Sequence, residues 1–281
     1  MSVRKPTVAG AFYPADPQSL RQSVESSFTH KLGPGKPPEE GSKERSTVSI
    51  VCPHAGYMYS GPVAAHGYYS ISLEKKPKSI VIIGPNHTGL GSAVALMGRG
   101  AWRTPLGVVN IDEELADAIV RSSDMIDIDE LAHAREHSIE VQLPFLQYIY
   151  GNDFGLVPIC MGLQDLDTSR EIGRAIAEAV GKKDTLIIAS TDMTHYESQA
   201  SAYRKDRMVI EAVIALDEEA LQRNVQGQGI SMCGFGPVSA AIVASKLLGA
   251  ERGELLAYHT SGDVTGDHSA VVGYASLRIS R

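Results

Sequence analysis

Three apolar runs in this chain each end in a short Pro-, Gly- or Asn-bearing turn that delivers a histidine. Thr47-Val48-Ser49-Ile50-Val51 runs into Pro53-His54-Ala55-Gly56-Tyr57. Ser79-Ile80-Val81-Ile82-Ile83 runs into Gly84-Pro85-Asn86-His87, and Thr185-Leu186-Ile187-Ile188-Ala189 into Ser190-Thr191-Asp192-Met193-Thr194-His195. Continuous β-branched runs of this length read as strands buried on both faces. Proline has no N–H to give a ladder, so the chain leaves the sheet as the histidine arrives. Open α/β sheets place their sites beyond the carboxyl ends of their strands. His54, His87 and His195 are therefore expected along one sheet edge.

The rest of the chain alternates helical and extended stretches, which predicts a single α/β domain over 1–281, with a mixed central β-sheet flanked by helices. Asp16 and Pro17 form an N-cap and first-turn proline that open a helix over 17–30. Residues 31–46 mix Pro, Gly and charge without periodicity and read as a surface loop. A short helix is expected over 61–69, strands over 92–97 and 108–111, and a helix opened by Asp112 with Glu113 and Glu114 in its first turn. Over 133–150, His137, Glu140 and Glu136 fall on or near one helical face. Val141, Phe145, Leu146 and Ile149 make an apolar stripe there, and Pro144 should kink or interrupt it. A strand over 156–160, a helix over 168–180, two helices within 200–225, a helix over 237–248, and a hairpin of 255–260 with 270–279 complete the reading.

Composition narrows the function class. At 281 residues and 43% hydrophobic content the chain can bury a large core. No apolar run approaches the roughly 20 residues of a membrane span, and no apolar signal core follows Arg4 and Lys5, so a cytoplasmic protein is expected. A net charge of −7 argues against a nucleic-acid surface. The expected partner is a small molecule or peptide.

The three cysteines, Cys52, Cys160 and Cys233, are too few and scattered for a disulfide framework. Cys52 and Cys160 read as buried packing residues. Cys233 lies in Ser231-Met232-Cys233-Gly234-Phe235-Gly236-Pro237, ahead of a helix start, where the dipole favours a thiolate. That suits a metal ligand or a nucleophile equally. Imidazoles gathered at a sheet edge suit a transition metal. Asp192, three residues before His195, is placed to orient an imidazole, ligate a metal or cap a turn. His137 with Glu140 suits acid/base work or plain helix-surface electrostatics. His133-Ala134-Arg135-Glu136-His137 also fits the inverted zinc-peptidase pattern H-x-x-E-H, although nothing selects a third ligand for it.

Taken together, Val8-Ala9-Gly10-Ala11-Phe12-Tyr13-Pro14, Pro53-His54-Ala55-Gly56-Tyr57, Gly84-Pro85-Asn86-His87, Glu136-His137-Ser138-Ile139-Glu140, Ser190-Thr191-Asp192-Met193-Thr194-His195 and Cys233-Gly234 resemble the Memo family, called AmmeMemoRadiSam system protein B in prokaryotes. The resemblance implies a fold similar to class III extradiol dioxygenase catalytic subunits, non-haem iron enzymes. It implies His54 and His87 as metal ligands, with Cys233 where the dioxygenases place a carboxylate. Asp192 and His195 would line the pocket, His195 in the place of an acid/base histidine, and His137 and Glu140 belong to a further family motif. A thiolate softens the donor set, so Fe(II) or Cu is expected, with Zn as a further option. The prokaryotic family name implies partners in a radical-SAM system. Two alternatives stand beside this reading: a metal-free hydrolase using Cys233, His195 and Asp192, and a non-catalytic peptide-binding or assembly partner.

Overall fold

The order of strands in the main sheet carries the three histidine-bearing segments to one place. The structure, a computed structural model, describes residues 2–39, 41–181 and 183–281. Its strands are β1 (Val3–Arg4), β2 (Thr47–Cys52), β3 (Ser79–Pro85), β4 (Val94–Leu96), β5 (Ala101–Thr104), β6 (Gly107–Asn110), β7 (Asp127–Ile128), β8 (Gly155–Met161), β9 (Thr185–Ser190), β10 (His195–Glu197), β11 (Arg252–Thr260) and β12 (Val271–Ser280). Its helices are α1 (Pro17–Thr29), α2 (Tyr57–Ser72), α3 (Glu113–Arg121), α4 (Leu143–Tyr150), α5 (Leu166–Val180), α6 (Gln199–Ile214), α7 (Glu218–Gln228), α8 (Phe235–Leu247) and α9 (Ser261–Thr265). Among the described residues the main sheet runs β10-β12-β2-β9-β3-β8-β4-β7, with β11 pairing along β12. β2, β9 and β3 are parallel neighbours, in register from Ser49 with Ile187 and from Ser79 with Thr185. Their carboxyl ends therefore open side by side.

Mixed pairing arises because β12 and β4 join this parallel centre antiparallel. β1, β5 and β6 form a separate three-stranded sheet. The central strands are buried along their whole length apart from Thr185 at the start of β9, as their unbroken apolar runs require. Side chains alternate faces along a strand. Ser49 of β2 reaches Ser245 of α8 at 2.7 Å, while a Cβ on Gly67 of α2 would meet Cys52 and Ile50 of the same strand. α8 and α2 thus cover opposite faces, giving one α/β domain with helices on both sides. α8 is apolar around most of its circumference because α5 and α7 close over its outer side.

The α5–α8 contact depends on Gly173. A Cβ there would lie 2.6 Å from Val243 Cβ and 2.7 Å from the Ala240 carbonyl oxygen. Gly173→Ala is expected to destabilise the fold by about 1–3 kcal/mol through overpacking, despite alanine's helix-propensity gain of about 1 kcal/mol. A urea midpoint equal to or above that of the unsubstituted protein would contradict this close approach.

Most element expectations stand, with local differences. α2 begins at Tyr57 and contains Pro62 in its interior, so the helix starts earlier than that proline suggests. The 133–150 stretch is not one interrupted helix. Its first part is turns, followed by a 3-10 turn at Glu140–Gln142 and then α4, with Pro144 inside the first turn, where its missing N–H costs nothing. The Glu136 carboxylate takes the N–H groups of His137 and Ser138, both at 2.8 Å, and so holds the chain in a turn. The 255–260 and 270–279 strands pair antiparallel as a hairpin, but α9 stands in their connection. Residues 31–46 lack regular structure and are exposed or half-buried where described; Glu40 lies outside the described residues. Among the described residues no helix is long and apolar enough to cross a membrane.

Candidate functional site

His54 lies two residues beyond β2 and His87 two residues beyond β3, so the two parallel strands that flank β9 supply two imidazoles. Their rings meet edge-on with centroids 5.2 Å apart. His137 joins them, stacked on His87 at 4.6 Å and edge-on to His54 at 5.3 Å. The 136–139 turn reaches this place because β3 carries Gly84, where a Cβ would lie 2.5 Å from Ser138 Oγ. Cys233 arrives from the turn before α8, and its Sγ stands 3.3 Å from His54 Nε2. Gln164 fixes that turn, donating to the Cys233 carbonyl at 3.0 Å and accepting from Gly236 N–H at 2.9 Å. One ligand atom each from His54, His87 and Cys233 lies within 4.8 Å of the other two.

Glu136 organises the His87 side. Its Oε1 is 2.9 Å from His87 Nδ1 and 3.3 Å from His137 Nδ1, and its Oε2 accepts the His87 backbone N–H at 2.6 Å. These charge-assisted bonds hold the carboxyl down to about 2 although burial opposes them. The ionised acceptor on His87 Nδ1 leaves Nε2 as the free nitrogen. In the sequence Glu136 reads as a helix-face neighbour, a zinc-peptidase position and the first residue of a family motif, with no orienting role. Its adjacency to His137 was the available signal for an orienting role.

Asp192 also lies at the cluster. Its Oδ1 accepts the His54 backbone N–H at 2.8 Å, and its own N–H points at Cys233 Sγ at 3.2 Å. Burial pushes its carboxyl up to about 6, opposed by the His54 N–H bond and by nearby His195. His195 begins β10 and sits further out, with Nδ1 2.8 Å from the Ser231 carbonyl oxygen. Burial pushes the Cys233 thiol up to about 12, and the Asp192 charge adds to this. In the metal-free protein, burial thus outweighs the helix end that sequence reasoning credited with favouring a thiolate. The imidazole at the thiol is His54, not His195. Burial holds His54 far below its ordinary range, hence neutral, and lowers His137 as well.

Two residues singled out in the sequence stand apart. Glu140 is fully buried with both oxygens taken: Arg4 Nη1 at 2.7 Å, Tyr13 O–H at 2.6 Å, and the Thr7 and Val8 N–H groups at 2.9 and 3.1 Å. It ties down the N-terminal segment, whose Phe12 ring packs against His137, tilted by 45° with centroids 4.6 Å apart. His133 does not join Glu136 and His137 as the inverted zinc-peptidase pattern requires. It is buried edge-on to Trp102, 5.7 Å between centroids, and lowered by desolvation to about 4. Cys52 and Cys160 are buried packing residues whose thiols burial pushes up, Cys52 to about 12.

The protein is thus of the α/β class, with a parallel sheet centre whose strand ends gather imidazoles and one thiol. Within that class the chain belongs to the Memo-like protein family, which it matches over residues 4–278. It is 56% identical over 280 residues to a MEMO1 family protein of Methanopyrus kandleri, covering 99% of each chain. A MEMO1 family protein of Methanothermobacter thermautotrophicus is 52% identical over 277 residues, 98% of this chain and 99% of that one. Among solved structures, an uncharacterized protein from Escherichia coli shares the fold with a TM-score of 0.53 at 11% identity, covering 84% of this chain and all of that one.

Proposed function

We propose that the protein is a mononuclear metalloprotein in which His54 Nε2, the free ring nitrogen of His87 and Cys233 Sγ hold Fe(II) or Cu, with Zn as the further option. The observation that carries this reading is the convergence of these three donor atoms within 4.8 Å of one another. The donor chemistry fits. Two imidazoles and a thiol can stabilise a soft or borderline cation, and the cation in turn favours the thiolate that burial disfavours. When bound, such an ion supplies redox or Lewis-acid chemistry and open coordination positions for a small ligand.

The chain's own residues do the rest. Glu136 aims His87 and holds His137 beside it. Asp192, with its raised carboxyl, is placed to hold a proton next to the thiol, and His195 stands behind it. The resemblance to class III extradiol dioxygenases belongs to the same proposal, with Cys233 in place of their carboxylate. A metal-free Cys233–His195–Asp192 hydrolase is disfavoured by a thiol held protonated and a His195 tethered to Ser231.

Metal analysis of anaerobically purified protein tests the assignment. One metal per chain is expected, with loss of the metal in His54→Ala and in His87→Ala. Stoichiometric metal that survives both substitutions overturns it.

A further inference from the structure

His54 and His87 are held by different means. His87 leans on an ionised carboxylate, whereas the other ring nitrogen of His54 faces a neutral hydroxyl, Ser190 Oγ, at 2.8 Å. We propose that Ser190 and Gln142 are positioning residues that lock His54 in the Nδ1–H tautomer and keep Nε2 bare toward Cys233. This inference rests on the metal reading for its purpose but not for its geometry.

The hydrogen positions follow from groups that can act in only one sense. The carbonyls of Pro53 and Ser138 can only accept. Gln142 Nε2 lies 3.1 Å from the Pro53 oxygen, which fixes that end of the side chain as the NH2. Gln142 Oε1 is then the acceptor for the Tyr68 O–H at 2.5 Å. The second hydrogen on Gln142 Nε2 points to Ser190 Oγ at 2.7 Å. Ser190 has one hydrogen, and the Ser138 carbonyl 2.7 Å away takes it. Toward His54, Ser190 therefore offers only a lone pair, and Nδ1 must bring the proton. A neutral imidazole protonated at Nδ1 has its lone pair at Nε2, and that nitrogen faces Cys233 Sγ at 3.3 Å.

The chain of bonds is closed. Ser190 Oγ makes three bonds, and Gln142 satisfies both its hydrogens and its oxygen. His54, Tyr68, Gln142, Ser138 and Ser190 are all buried, so no water competes for these positions. The relay also joins the carboxyl ends of β2 and β9 to the turn before α4 and to α2. It thus fixes where the imidazole sits as well as which nitrogen is bare. Tyr68 is itself held flat against Phe145, at 4.7 Å and 6° between planes. Ser190 acts on a metal only through His54, so its removal should weaken binding without abolishing it. Groups that hold a ligating imidazole through its other ring nitrogen are worth about 10–100-fold in metal affinity.

The test uses protein labelled with 15N-histidine, stripped of metal, and observed by long-range 1H–15N correlation, which reports the tautomer of each ring. His54 is expected as Nδ1–H in the unsubstituted protein. In Ser190→Ala the preference is expected to be lost, with Co(II) affinity, read from visible absorption during anaerobic titration, down about 10–100-fold. An Nε2–H His54 in the unsubstituted protein overturns the relay whatever happens to Ser190→Ala. So does a Ser190→Ala protein with unchanged tautomer and unchanged Co(II) affinity. Unsubstituted protein that shows the Nδ1–H tautomer yet takes up no Co(II) supports the relay and overturns the metal reading.

Discussion

Replacing Glu140 with alanine is expected to destabilise the protein by about 3–5 kcal/mol, the cost of breaking a buried ion pair from one side. Arg4 would stay behind with its guanidinium 4.0 Å from the Trp102 ring centre and bonded to the carbonyls of His133 and Glu136, both at 2.6 Å. Those contacts satisfy donors but supply no counter-charge. The Thr7 and Val8 N–H groups and the Tyr13 hydroxyl would lose their acceptor together. Glu140→Gln keeps the volume and one oxygen, so it should cost less than Glu140→Ala. Urea unfolding of both variants checks this. A loss under 1 kcal/mol for Glu140→Ala would show that the N-terminal segment is held mainly by other contacts. The substitution also reaches the site, because the released segment carries Phe12 away from the His137 ring.

That coupling shows which parts of the molecule were legible in the sequence. Long uniform signals read well. The unbroken aliphatic runs of β2, β3 and β9 gave both the strands and the edge where their histidines emerge, since a doubly buried strand leaves no other pattern. Asp16 with Pro17 and Asp112 with two glutamates mark helix starts by local chemistry alone, and both aspartates cap as expected, accepting from Ser19 N–H at 2.8 Å and Leu115 N–H at 3.0 Å. What failed was the 133–150 stretch, where side chains compete with the backbone for N–H groups. A carboxylate at 136 that captures the next two amides cannot be told from one on a helix surface by spacing. The same ambiguity hid the division of labour between the two glutamates. Glu136 faces inward to two histidines, while Glu140 faces a residue 136 positions away in the chain. Ser190 carried no sequence signal beyond its place at the end of a buried strand and at the head of a family motif. Its importance lies in a lone pair, and lone pairs become visible only when every neighbour is in place.

Acid should destabilise the metal-free protein in two stages of different slope. His133 is the clearest member of the first. Its folded value is about 4 against 6.5 for an ordinary histidine, so the unfolded chain takes a proton first as pH falls. Its contribution is full above 6.5 and is lost between 6.5 and about 4, at most roughly 3 kcal/mol. His54 and His137 are lowered too and act in the same direction. Asp192 has the opposite sign. Its folded value of about 6 lies above the ordinary 3.8, so the folded state takes the proton first and gains stability as pH falls across that interval. The upper stage is therefore the shallower one, because Asp192 and Asp206, whose carboxyl burial also raises, offset much of what the buried imidazoles lose. Below about 4.5 the offset is spent, while Glu136, folded value about 2 against 4.5, now loses its contribution as pH falls through that window. Glu140 is lowered as well and follows it. Urea midpoints measured from pH 7 to 2.5 in the presence of chelator should thus fall gently to about pH 4.5 and steeply below. Asp192→Asn separates the two signs. It removes the offsetting gain, so its midpoint should fall more steeply than that of the unsubstituted protein between pH 6 and 4. An Asp192→Asn profile parallel to that of the unsubstituted protein in this interval would mean that the site carboxyl is ionised throughout it and holds no proton beside Cys233.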